Sequence, residues 1–132
     1  TGVPAVVTDA PPDGVRRELA RSEHFEGAPY SYMYDDEVDS IRRPDGLRRN
    51  PDDGAHDEME THARAFELEG GGTLWLAHHE ANRYTETSEH LDPGMYSWAR
   101  GRERFAVALE DAGVQCERVE SESAAGLGVV SR

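Results

Sequence analysis

The chain has 132 residues, enough for one domain, with 36% hydrophobic residues and a formal net charge of −13. All fourteen basic residues are arginine, which excludes P-loop, Schiff-base and kinase-type lysine chemistry. The single cysteine, Cys116, excludes an internal disulfide and any multi-cysteine metal centre, and its flank V-Q-C-E-R-V reads as a packed strand.

Clear apolar periodicity argues against disorder. The expected alternative is a folded, acid-coated, salt-adapted protein whose surface repels itself unless ions screen it. An arginine-biased, GC-rich genome is the competing explanation. Salt adaptation predicts unfolding in low salt, and a melting temperature indifferent to molar salt would count against it.

Residues 3–8, VPAVVT, are apolar and rich in β-branched residues and predict a short strand. DAPPDG breaks the chain, with Asp9 or Asp13 expected to cap a helix that carries Val15, Leu19 and Ser22 on one side. EGAP ends it. Tyr30, Tyr32 and Tyr34 then alternate as in a strand, and the acidic run Asp35–Asp39 reads as its solvated edge. P-D-G at 44–46, between the pairs Arg42/Arg43 and Arg48/Arg49, reads as a turn and so as a positive hairpin tip.

Two alternating runs flank Gly70–Gly72 and predict a long β-hairpin. With that loop Leu68 faces Leu74, Phe66 faces Leu76, Arg64 faces His78 and His62 faces Glu80, all on one face. Ala63, Ala65, Trp75, Ala77 and His79 take the other. Asp92 and Pro93 then open a helix with Leu91 and Tyr96 as its hydrophobic staple, and Gly113 closes it. Its apolar stripe is Met95, Trp98, Ala99, Phe105, Ala106, Leu109 and Ala112. Arg102 interrupts the stripe and predicts an ion pair, with Glu60 or Glu80 as partner, or an anion contact shared with Arg100 and Arg104. A last strand follows at 114–121.

This order predicts an α+β domain over 1–122: a mainly antiparallel sheet with a long glycine-turn hairpin and two helices packed on one face, followed by a tail at 123–132. No run is long enough to insert in a membrane, and no signal-peptide pattern is present. Thr1 is what removal of an initiator methionine leaves, so a cytoplasmic or virion location is expected.

His79-Glu80 begins a zinc-protease H-E-x-x-H and fails at Arg83, which cannot ligate. The hairpin instead gathers His62, His78 and Glu80, two imidazoles and a carboxylate able to hold a divalent transition metal. Arg64 beside them speaks for a paired polar rim, and no other cofactor is expected. The Arg42, Arg43, Arg48, Arg49 group reads as a partner-binding patch suited to an acidic protein surface. Free nucleic-acid binding is disfavoured by the negative body.

Catalytic templates such as G-x-S-x-G and G-x-G-x-x-G are absent. The expected function is therefore a non-enzymatic structural or assembly module that packs against copies or partners. The alternative is a small metal-dependent hydrolase using His62, His78 and Glu80. In element order alone (long hairpin, helix, last strand) the central two thirds resembles ring-forming connectors and tail terminators of tailed viruses, which implies a homo-oligomeric virion subunit.

Overall fold

In a computed structural model of the protein, residues 3–28, 36–49, 56–81, 97–121 and 128–130 are described. The β-branched run becomes β1 (Val3–Thr8), an inner strand of a six-stranded sheet. Helix α1 (Pro12–Glu23) follows, with Pro11 as its extended N-cap, so neither Asp9 nor Asp13 caps it. Consecutive prolines account for this: Pro12 holds Pro11 extended and is itself preorganised for the first turn. Asp13 sits in that turn, where a negative charge favours the helix dipole.

Short β2 (Glu26–Gly27) pairs with β3 (Glu37–Arg49), followed by β4 (His56–Glu67) and β5 (Thr73–Ala81). Helix α2 (Trp98–Asp111) then leads to β6 (Cys116–Ser121). The strand order is β2-β3-β4-β5-β1-β6, and every pairing is antiparallel. Both helices pack on one face, as the alternation requires. Val15 and Leu19 of α1 and Phe105, Ala106, Ala108 and Leu109 of α2 cover Ala63, Ala65, Trp75 and Ala77. Trp75 is fully buried, its indole N–H donates to Thr8 Oγ1 at 3.1 Å, and its ring lies 5.2 Å from Phe105.

The opposite face carries a second apolar cluster, Ala5, Phe66, Leu74 and Leu76. Part of the tail docks there. Val129 bridges Leu68, Glu69 N–H donates to the Gly128 carbonyl at 2.8 Å, and Val130 N–H donates to the Glu67 carbonyl at 2.9 Å.

Three local expectations are corrected. The P-D-G at 44–46 is a bulge inside β3, not a turn: pairing runs on from Pro44↔Glu60 to Gly46↔Met59, with Asp45 as the extra residue. Gly46 supplies the positive φ of 90° that the bulge needs, the same chemistry that reads as a turn. The acidic run is not a solvated edge at Glu37 and Asp39, which are buried in β3 and pair with Arg64 and Arg16, each at 2.9 Å. The N-cap of α2 is Ser97, whose hydroxyl accepts from the Arg100 N–H; Asp92, Pro93, Leu91 and Tyr96 lie outside the described residues, as do Tyr30, Tyr32 and Tyr34. The C-terminal end is as expected: Gly113 has φ 78° and bonds to Glu110, while Val114 bonds to Leu109, a Schellman closure.

Candidate metal centre

The hairpin between β4 and β5 sets the site. Gly71, at φ 91°, follows a turn closed by Gly71 N–H to the Leu68 carbonyl, and Leu68 itself pairs with Gly72. The loop thus starts one residue earlier than Gly70–Gly72 implies, and every cross-strand pair moves by two. Phe66 faces Leu74, Arg64 faces Leu76, His62 faces His78 and Glu60 faces Glu80. A shift of two preserves parity, so each side chain keeps its predicted face. His62, His78 and Glu80 still converge, now with the two histidines directly opposite.

Their atoms form a small triangle. His62 Nδ1 lies 3.2 Å from His78 Nε2 and 3.5 Å from Glu80 Oε1, and His78 Nε2 lies 3.1 Å from the same oxygen. The rings stand nearly perpendicular, at 84°. The three side chains are 2%, 2% and 3% exposed. These are the described His and acidic groups that converge with metal-ligand spacing.

Neighbours fix the orientation of each ring. The far nitrogen of His62, Nε2, is 2.7 Å from Ser40 Oγ on β3, which turns Nδ1 toward the triangle. The Trp98 ring, at the start of α2, meets His78 edge-on at 5.1 Å. The nearby arginines have carboxylate partners of their own. Arg64 donates to Glu37 at 2.9 Å, and Arg42 bonds to Glu26 and, at 3.4 Å, to Glu60. Burial pushes the His62 imidazole down to about 4, with the His78 and Arg64 charges adding to it and Glu80 opposing, so the ring is neutral at pH 7.

The other expected site residues separate. Arg42 is buried in the sheet rather than placed at a tip. Arg43 lies over the Phe25 ring and bonds to Asp45. Arg48 and Arg49 belong to β3, opposite Asp57 and His56 in the strand register. Arg102 does not reach Glu60 or Glu80: it donates to the Val119 carbonyl at 3.1 Å and to Glu120 at 3.4 Å, both on β6. The Arg102 side chain thus runs along α2 to the β6 side of the sheet.

Sequence reasoning missed two buried groups. Ser40 was readable as a neighbour of His62 once β3 is seen to run through the P-D-G. Asp45 is the second. The bulge turns its carboxylate, 2% exposed, to the helix side, where it accepts from Arg43 Nε at 2.8 Å and from Thr61 Oγ1, with His79 Nε2 at 3.4 Å and Arg104 at 3.9 Å. His79, adjacent to His78 in sequence, therefore belongs to a different network on the opposite face. No family profile, curated protein or solved structure matches the chain. No described helix is long and apolar enough to cross a membrane.

Proposed function

We propose that the protein is a non-enzymatic assembly module that packs against copies of itself through the distal part of β3. The carrying observation is Leu47, a large apolar side chain that is 72% exposed on that strand. Among the described residues, β2 pairs only with Ile41 and Arg42, so β3 beyond them has a strand partner on one side only. An open strand edge is a template for pairing with another chain. Arg48 and Arg49 follow Leu47 in sequence, and the chain carries −13 overall, so the segment is matched in charge to the body of a second copy.

The burial of the histidine cluster supports packing over turnover. A hydrolase would need a substrate to reach atoms on side chains no more than 3% exposed. In its sharpest form the copies close into a ring of the kind that tailed-virus connectors make, within the cytoplasm or a virion. That form rests on element order.

Mass photometry in molar salt tests the proposal. The wild type is expected as a defined multimer, and Leu47→Asp is expected to weaken self-association at least about tenfold. Because Leu47 is exposed, the variant should still unfold cooperatively, with a melting temperature lower only by the contribution of association and independent of protein concentration. A wild type that is monomeric at every concentration, or a variant of unchanged mass, would overturn it.

A further inference from the structure

We propose that His62 Nδ1, His78 Nε2 and Glu80 Oε1 bind one divalent first-row transition metal ion of the zinc class, which cross-links β4 to β5. The inference stands independently of self-assembly.

The geometry carries it. Ligand atoms on a tetrahedral zinc, at bonds of about 2.0–2.1 Å, lie about 3.3 Å from one another. The three edges of this triangle are 3.1, 3.2 and 3.5 Å. Two imidazole nitrogens with one carboxylate oxygen suit zinc and its neighbours in the row, and do not suit calcium or magnesium, which take oxygen ligands.

Protons alone serve the triangle poorly. If one ring nitrogen carries a proton, that single hydrogen is shared between the other ring nitrogen and the carboxylate oxygen. If both carry one, two N–H groups meet across 3.2 Å. A single cation satisfies all three lone pairs at once. The surroundings have the form that metal-binding histidines require. With Nδ1 free of its proton, His62 donates Nε2–H to Ser40 Oγ at 2.7 Å, the outer hydrogen bond that holds a ligating ring in its tautomer. Arg64, beside the site, is ion-paired with Glu37 at 2.9 Å.

The cross-linking role follows from position. His62 and His78 are directly opposed on neighbouring strands, Glu80 is two residues along on the same face, and all three are buried. An ion held there binds the folded sheet and not the unfolded chain, so it raises stability by mass action.

The test uses the full chain, stripped with chelator and dialysed into molar salt. Calorimetric titration with Zn²⁺ should give one equivalent, with a rise in melting temperature. His78→Ala should weaken binding by at least about 100-fold, and Ser40→Ala, which removes only the outer hydrogen bond, by about tenfold. His24→Ala, at the exposed end of α1, should leave it unchanged. Should His78→Ala fail to fold, Co²⁺ bound to the wild type decides: the visible absorption of a low-coordinate site with nitrogen ligands supports the inference, and the weak spectrum of hydrated cobalt overturns it. Absence of heat and of thermal shift with Zn²⁺, or equal affinity in the Ser40 and His24 variants, also overturns it.

Discussion

Gly101→Ala is expected to lower stability by about 3 kcal/mol or more, although propensity alone predicts the opposite. Alanine is favoured over glycine inside a helix by about 1 kcal/mol. At this position a Cβ would overlap the Cα, C and N atoms of His78. That neighbour is the backbone of an inner strand, which cannot rotate away as a side chain can. Overpacking against a side chain costs about 1–3 kcal/mol, and here β5 or the whole of α2 must shift. Gly14 in α1 provides the control, since its Cβ would have its nearest neighbour, Pro11 Cγ, at 4.0 Å. Gly14→Ala should gain up to about 1 kcal/mol. Urea unfolding in molar salt measures both. Two gains of similar size would mean that α2 does not lie on β5 at His78. The same contact brings Trp98 against the His78 ring, so a displaced α2 should also loosen the candidate metal centre.

Gly101 also shows where sequence pattern stops. The α2 stripe at Phe105, Ala106 and Leu109 was legible from its spacing, and these three are buried. Ala99 is exposed and Gly101 and Ala108 are buried, because the helix meets the sheet first through a glycine and not through an apolar side chain. Periodicity of hydrophobic residues carries no signal for a backbone-to-backbone contact. Arg102 was legible as a side chain in need of a partner, but the partner depended on which strand the helix crosses.

The hairpin shows the reverse case. Its register lies two residues from the one the glycine loop implies, yet the described side chains keep the expected faces, because strand alternation is insensitive to an even slip. The convergence of His62, His78 and Glu80 therefore followed from parity alone. Asp45 was hidden for another reason. A proline, an aspartate and a glycine in succession satisfy a turn and a bulge equally, and only the pairing with Glu60 and Met59 on either side of Asp45 distinguishes them. With a turn assumed, β3 ends at Arg43, Asp45 faces solvent and the arginines form a tip. With the bulge, the strand continues, the Asp45 carboxylate is buried, and Arg42 becomes part of the sheet face that holds the cluster.

The histidine cluster should make the metal-free protein sensitive to acid. His62 is packed against Ser40 of β3, His78 and Glu80 of β5 and, along its own strand, Arg64. Burial is the largest influence and lowers its affinity for a proton, so the folded ring titrates near 4 against an ordinary value of 6.5. The unfolded chain takes up that proton as pH falls through about 6.5, while the folded chain does not until about 4. Stability from this residue is thus complete above pH 6.5 and drains between 6.5 and 4, by about 3 kcal/mol in all. Urea unfolding at pH 7, 5.5 and 4.5, with chelator and molar salt, should show this loss. His62→Gln removes the titration and keeps a polar group. The variant should start less stable at pH 7 and lose less over the same interval. Carboxylates that protonate toward the lower end act in both proteins and cancel in the difference. Parallel pH profiles for the two proteins would mean that His62 takes its proton as readily folded as unfolded, which is incompatible with a ring that is 2% exposed between His78, Glu80 and Ser40.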